Sequence, residues 1–162
     1  TGVGGGIVVN QRLLTGLQHI TGEWGHNPLY LNGPRCYCGR RGCIETFLSG
    51  PALAAEYARR GGDPTTTAQT IAALAEDNDP LAQDVLSGFF NYFGQALATI
   101  INILDPHVVV IGGGLSCIDA LYSIGREAAA QYVFNAEFPT PIVSNINGDR
   151  SGVRGAAQLW PA

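Results

Sequence analysis

The sequence has no methionine, no long apolar run and no surplus of positive charge. No apolar stretch reaches the roughly 18 to 20 residues that a membrane-spanning helix needs, and no secretory signal pattern opens the chain. The net charge of −4 argues against a nucleic-acid partner, because proteins that bind nucleic acid neutralise its phosphates with lysine and arginine. We therefore expect a cytoplasmic protein that contacts neither a membrane nor nucleic acid.

Charged residues are also scarce, at 14% of the 162 positions, whereas hydrophobic residues make up 46%. This balance is typical of a packed globular chain and not of a disordered one, and the length is sufficient for one domain with a core. Because methionine is absent, the chain lacks a start residue of its own, and it opens inside a glycine-rich motif, TGVGGG. We expect it to be part of a longer protein.

The order of predicted elements indicates an α/β layered domain. Two short strands should flank a turn at Asn10-Gln11, and residues 16–45 are rich in loop formers. Helices are predicted after Ser49, after a threonine of the TTT run and after Asp79, since these residue types are favoured helix caps. The third helix should end before Pro106. Its aromatic cluster, FFNYF, is more typical of core packing than of an oligomer face.

The second half of the chain predicts a parallel pair of strands. HVVVI, residues 107–111, is short and β-branched, as expected of a buried parallel strand, and three glycines follow it directly. A helix is predicted from about residue 118 to 133, then a strand at PIVSNIN and a closing helix at SGVRGAAQLW.

Three of the four cysteines lie close together in CYCGRRGC, at Cys36, Cys38 and Cys43. His26 in GEWGH precedes them, and together they form a Cys3His set, which is a standard complement for structural zinc. His19 and His107 are alternative fourth ligands.

A disulfide and free buried thiols are the other two interpretations of these cysteines. Cys36 and Cys38 are too close in sequence to pair comfortably, and nothing marks the chain as secreted. Three thiols separated by turn-forming glycines are an improbable coincidence. A zinc ion closed by four protein ligands has no open position for water, so it would fix the loop and would not catalyse.

Two glutamates flank the proposed metal ligands and indicate a site for hydroxyl groups. If one ring nitrogen of His26 holds the metal, the other carries a hydrogen and can donate. The carboxylates of Glu23 and Glu45 can accept from O–H groups, and a sugar is the natural ligand for such a set. Either glutamate alone could also be a solvated surface charge.

The two glycine-rich segments point to phosphate and nucleotide binding. TGVGGG offers backbone N–H groups that suit phosphate oxygens, although a glycine-rich bend needs no ligand, and no Walker A lysine follows it. The glycines after HVVVI stand at the carboxyl end of a strand, where ligands bind in open α/β sheets. The spacing G-x-G-x-x-G is absent, which disfavours a dinucleotide fold.

Four features in this order resemble the C-terminal half of bacterial ROK-family sugar kinases: TGVGGG, GEWGH, CYCGRRGCIE, and NILDP with VVVIGGG. The resemblance covers essentially all of the chain. GEWGHNPL, CIETFLSG and SGVRGAAQLWP look most like the fructokinase (manno-fructokinase) branch, with the N-acetylglucosamine kinases close behind.

The resemblance implies that residues 1–162 form one α/β lobe of an actin-like, ribonuclease-H-like ATPase, with a zinc-stapled, sugar-binding loop at 16–45. It implies structural zinc on His26, Cys36, Cys38 and Cys43, and sugar contacts from Glu23, His26 and Glu45. A second phosphate-binding loop would consist of Thr1, Gly2, Val3, Gly4, Gly5 and Gly6. The nucleoside of ATP, which acts with magnesium, would lie against Gly112, Gly113 and Gly114.

The family's general base, an aspartate in an Asn-Asp-Ala-Asn segment, and its first phosphate loop, of Asp-x-Gly-Gly-Thr type, are not in this sequence. Phosphoryl transfer needs both lobes and magnesium. We therefore expect an N-terminal lobe of the same protein, and little or no kinase activity from this chain alone. The family also suggests a homodimer.

The leading hypothesis is the C-terminal lobe of an ATP-dependent kinase that phosphorylates the 6-hydroxyl of fructose or a related hexose. The first alternative is the sensor half of a ROK transcriptional repressor, which would carry a helix-turn-helix upstream. The second is a zinc-stapled interaction module with no small ligand.

Overall fold

The computed structural model describes residues 2–148 and 151–158. Its first elements are the antiparallel strands β1 (Val8–Val9) and β2 (Arg12–Leu13). The two residues between them, Asn10 and Gln11, have φ values of 50° and 64°. Positive φ at both central residues gives the tight turn that matches strand twist. The predicted hairpin is confirmed.

Four helices follow the loop region: α1 (Glu45–Leu48), α2 (Gly50–Arg59), α3 (Ala68–Glu76) and α4 (Pro80–Leu104). The side chains of Ser49, Thr67 and Asp79 each accept a hydrogen bond from the backbone N–H three residues later. These bonds satisfy an N–H that has no partner inside the helix, so all three predicted caps are confirmed.

The remaining elements are β3 (Val109–Ile111), α5 (Ala120–Ala130), β4 (Ile142–Ser144) and α6 (Ser151–Gln158). Strands β3 and β4 pair in parallel, with Val109 opposite Ile142. Helix α5 is shorter than the predicted span from 118 to 133: it begins at Ala120, after a 3₁₀ turn at Gly114–Cys117 and an extended Ile118, and it ends at Ala130. The last two residues of the predicted closing helix lie outside the described residues.

The prediction that β3 is buried was wrong. Val110, at its centre, has 56% of its surface exposed. Within the described residues β4 is the only strand that pairs with β3, and no second layer covers the face on which Val110 lies. The β-branched run HVVVI therefore predicted the strand correctly but not its burial.

Helix α4 is the centre of the hydrophobic core. It packs against α5, α3 and α2, and Phe89, Phe90 and Phe93 are at most 6% exposed. The expectation that the aromatic cluster serves core packing is confirmed for these three residues. In the described residues, no helix combines the length and the apolar character needed to cross a bilayer.

Candidate functional site

The structure gathers the four predicted metal ligands at one point. The ligand atoms of His26, Cys36, Cys38 and Cys43 all lie within 4.8 Å of one another. Nδ1 of His26 is 3.6 Å from Sγ of Cys36, and the sulfurs of Cys38 and Cys43 are also 3.6 Å apart. All described cysteines are free thiols, so the disulfide interpretation is not supported.

These separations fit a tetrahedral zinc ion. Bond lengths of about 2.3 Å to sulfur and 2.0–2.1 Å to nitrogen place two sulfurs roughly 3.8 Å apart, and sulfur and nitrogen roughly 3.6 Å apart. Among the described residues, the histidine of the cluster is His26, whereas His19 and His107 are exposed and outside it. His26 and the three cysteines therefore supply all four ligands, and neither His19 nor His107 is needed.

Tight turns bring the sulfurs together. The N–H of Gly39 donates to the carbonyl of Cys36, and the N–H of Cys36 donates to the carbonyl of Arg40. Gly42 has a φ of 65°, and a Cβ atom there would lie 1.5 Å from the carbonyl oxygen of Tyr30. A side chain at this position would break the turn, which gives Gly42 a physical role.

The local environment shifts the thiol pKa values in opposite directions. A hydrogen bond from the backbone N–H of Arg40 lowers the pKa of Cys38 to about 7. Burial raises the pKa of Cys43 to about 12, since a thiolate is disfavoured where water is excluded. Between these two cysteines, Cys38 is therefore the one whose surroundings favour the thiolate, and Cys43 is the one whose surroundings favour the thiol.

The second nitrogen of His26 has a partner that the sequence did not predict. The phenol oxygen of Tyr37 lies 3.0 Å from Nε2 of His26, and the two rings meet edge to face with centroids 5.2 Å apart. The carboxylate of Glu45 is the largest cause of a raised pKa at Tyr37, and Glu23 adds to it. The negative charges of the two glutamates thus act on this phenol, and its direct partner is His26.

Glu45 also reaches the first glycine-rich segment. Its Oε2 accepts a hydrogen bond of 2.8 Å from the backbone N–H of Val3. This N–H is therefore not one of the several backbone N–H groups that the segment was expected to offer to a phosphate. Gly2, Gly4, Gly5 and Gly6 are exposed or open to the cleft, and Thr1 lies outside the described residues.

A turn at residues 22–25 supports the same segment from the other side. The indole N–H of Trp24 donates to the carbonyl of Gly4 over 3.1 Å. A Cβ atom on Gly25 would lie 1.9 Å from the carbonyl oxygen of Val3, so only glycine allows this approach. The motif GEWGH thus contributes backbone packing in addition to Glu23 and His26.

The glycines after β3 form an exposed loop that several side chains hold. The hydroxyl of Ser116 donates to the carbonyl of Gly113, and the amide of Gln69 donates to the carbonyl of Gly114. The amide of Asn145, just after β4, donates to the carbonyl of Ile111. These bonds fix the carboxyl end of the two parallel strands, which is the ligand-binding end in open α/β sheets.

One cleft of about 1410 Å³ joins the regions described above. Glu23 and His26 line it together with both glycine-rich segments, 2–6 and 112–114. Glu45 reaches it through its bond to Val3. Gly50, Pro51 and Ala54 of α2, together with residues 66–69 at the start of α3, also line the cleft.

Comparison with known proteins identifies the family. The model of the ROK family matches residues 1–162. The chain belongs to the ROK family. An N-acetyl-D-glucosamine kinase from Salmonella paratyphi B (strain ATCC BAA-1250 / SPB7) is 38% identical over 98% of this chain and 55% of its own length. The chain thus spans about half the length of the curated relatives it matches.

Solved structures of the ROK family share the fold. A ROK family glucokinase from Streptomyces griseus, in complex with glucose and AMPPNP, superposes with a TM-score of 0.88 at 28% identity, over 98% of this chain and 57% of its own. A ROK family transcriptional regulator, a homologue of the E. coli MLC protein, reaches 0.72 at 32% identity, over 87% of this chain and 38% of its own. The expected actin-like α/β lobe is confirmed.

Sequence reasoning missed the residues that hold the site from behind. Trp24, Tyr37, Gln69 and Asn145 are each recognisable only by a hydrogen bond to a glycine loop or to His26. Trp24 lies in GEWGH and Tyr37 in CYCGRRGC, each between residues with a predicted function. That position is the one feature of the sequence that could have indicated their role.

Proposed function

We propose that this chain is the C-terminal lobe of an ATP-dependent sugar kinase that phosphorylates the 6-hydroxyl of a hexose. The observation that carries the proposal is the single cleft in which Glu23 and His26 share walls with both glycine-rich segments. A sugar at the acidic end and a triphosphate along the glycines would place a hydroxyl near a terminal phosphate. Phosphoryl transfer depends mainly on such positioning and on charge stabilisation.

Each part of the site has a role in this proposal. Glu23, His26 and Glu45 bind sugar hydroxyls, the segment Thr1–Gly6 binds phosphate and Gly112–Gly114 contact the nucleoside. Zinc on His26, Cys36, Cys38 and Cys43 is structural, because four protein ligands leave no open position. The zinc ion would hold a loop that has few contacts with the core. Among the cysteine and apolar residues of segment 26–44, those that are less than 9% exposed are Cys36, Cys43 and Ile44.

The choice of hexose is the finer part of the proposal. The motifs CIETFLSG and SGVRGAAQLWP resemble the fructokinase branch and favour fructose. The identity of 38% with an N-acetyl-D-glucosamine kinase favours N-acetylglucosamine. Discrimination between such sugars rests on hydrogen bonds at individual hydroxyl groups, and we propose fructose first and N-acetylglucosamine second.

The rest of the kinase would come from an N-terminal lobe of the same protein, which would supply the general base and the first phosphate loop. We therefore propose that residues 1–162 alone are inactive, and that the complete protein is a cytoplasmic homodimer that uses ATP and magnesium.

The test is a coupled assay of the complete protein with ATP, magnesium and fructose, mannose, glucose or N-acetylglucosamine. We expect turnover with one of these sugars, and little or none from residues 1–162 under the same conditions. Sugar binding without turnover by the complete protein, together with binding to operator DNA, would instead support the repressor alternative. Similarity to the transcriptional regulator makes that comparison necessary.

A further inference from the structure

We propose that Glu45 is a positioning residue for the first glycine loop, and that its carboxylate couples hexose binding to nucleotide binding. The inference rests on the proposed function, since it assumes a hexose beside Glu45 and a triphosphate on residues 2–6. It adds one side chain that contacts both sites and therefore links the binding of the two ligands.

The two oxygens of Glu45 have different surroundings. Oε2 accepts the N–H of Val3, a residue 42 positions away in sequence, over 2.8 Å. No hydrogen bond to Oε1 is formed within residues 2–148 and 151–158, which leaves this oxygen for a sugar hydroxyl. One half-buried carboxylate thus stands between the loop and the sugar position.

The neighbours of Glu45 hold its backbone in place, whereas few contacts hold the glycine loop. Glu45 follows the cluster ligand Cys43 by two positions, begins α1 and is preceded by Ile44, which is 2% exposed. Segment 2–6 belongs to no helix or strand. Its hydrogen bonds to the rest of the described chain come from Glu45 at Val3 and Trp24 at Gly4.

The coupling should be positive because ordering the loop costs conformational entropy. A sugar hydroxyl on Oε1 gives the carboxylate a second hydrogen bond and favours the rotamer in which Oε2 accepts the Val3 N–H, so part of the entropy of ordering the loop is already lost before phosphate binds. Each ligand should therefore tighten the binding of the other by the same factor. Glu23, an exposed carboxylate of the same sugar set, lines the cleft and makes no hydrogen bond to the loop among the described residues.

The experiment measures magnesium–AMPPNP affinity of the complete protein by calorimetry, without hexose and with saturating hexose. In the unchanged protein we expect hexose to tighten nucleotide binding about fivefold or more. Glu45→Ala removes both acceptor oxygens, so it should weaken nucleotide binding without hexose several-fold, weaken hexose binding and reduce the coupling factor to about one. The control Glu23→Ala should weaken hexose binding but keep both the nucleotide affinity and the coupling.

Two further measurements separate positioning from a general folding defect. Trp24→Phe removes the indole N–H but keeps an aromatic ring, so it should weaken nucleotide binding two- to threefold and leave hexose affinity unchanged. Hydrogen exchange at the Val3 amide should accelerate at least tenfold in Glu45→Ala, with unchanged zinc content and circular dichroism.

The outcomes also distinguish this inference from the proposed function. If Glu45→Ala weakens hexose binding alone and leaves the Val3 amide protected, the coupling inference is overturned and the kinase proposal stands. If neither alanine variant changes hexose affinity, the proposed hexose site is wrong and the coupling inference falls with it.

Discussion

The phenol oxygen of Tyr37 lies 3.0 Å from Nε2 of His26, on the side of the ring that faces away from the metal cluster. His26 therefore has both nitrogens engaged, one toward the sulfurs and one toward a tyrosine that is 84% exposed. A sugar hydroxyl that uses Nε2 has to displace this phenol.

Replacement of Tyr37 by phenylalanine should strengthen hexose binding. The variant keeps the ring but removes the oxygen that competes for Nε2, and a typical net hydrogen bond corresponds to a change of about two- to tenfold. Hexose titration of the complete protein measures it. Tyr30→Phe, which removes a hydrogen bond to Gln95 outside the cleft, is the control. Weaker binding in Tyr37→Phe would mean that the phenol belongs to the sugar site.

Zinc affinity should fall as the pH is lowered from 8 to 6. The pKa of Cys43 is raised to about 12 by burial, so its thiol is protonated in the metal-free protein and metal binding must release that proton. Each proton displaced lowers affinity about tenfold per pH unit. Competition with a chromophoric chelator measures the slope.

Cysteine variants show whether this metal site is the one proposed. Cys38→Ser should lower zinc affinity by at least tenfold and reduce hexose binding, because a ligand of the cluster is lost. Cys117→Ser removes an exposed cysteine outside the cluster and should change neither property. Equal zinc affinity in both variants would refute the predicted ligand set.

Two glycines of α4 should respond in opposite ways to alanine. At Gly94 a Cβ atom would lie 2.5 Å from the carbonyl carbon of Ala128 in α5, whereas at Gly88 nothing lies within 4 Å. Gly94→Ala should therefore destabilise the protein by about 1–3 kcal/mol, and Gly88→Ala should stabilise it by up to about 1 kcal/mol. Urea unfolding of both variants measures the difference, and equal effects would contradict the close packing of α4 on α5.

The ion pairs of Glu56 should contribute stability only above acidic pH. The hydrogen bond from Arg59, with that from Arg60, lowers the pKa of Glu56 from 4.5 to about 2, and Arg60 also pairs with Asp84 of α4. A lowered carboxyl pKa gives stability that is present above pH 4.5 and is lost as the pH falls toward 2.

Glu56→Gln should therefore cost up to about 1 kcal/mol at pH 7, the range for solvent-accessible pairs, and almost nothing at pH 2. The free energy of unfolding, measured at both values, tests this. Glu127→Gln, at an exposed position of α5, is the control and should stay within about 0.5 kcal/mol of the unchanged protein. A loss in Glu56→Gln that persists at pH 2 would show that packing, and not charge, is responsible.

Local sequence signals predicted the elements and the metal cluster. Ser49 and Asp79 act as caps through hydrogen bonds that span three residues, and the cluster ligands lie within 17 positions of one another, from His26 to Cys43. Such features depend on bond geometry between near neighbours, so the residue types and their spacing are sufficient to reveal them.

Only the tertiary structure decided how distant segments share the site. The bond from Val3 to Glu45 spans 42 positions, and that from Gln69 to Gly114 spans 45. It also decided the exposure of Val110, which depends on what packs over the strand and not on the strand's own residues. The sequence determined which groups can bind metal, hydroxyl and phosphate. Packing of the helices determined which of those groups face one cleft, because long-range contacts follow from the whole chain and leave no local pattern.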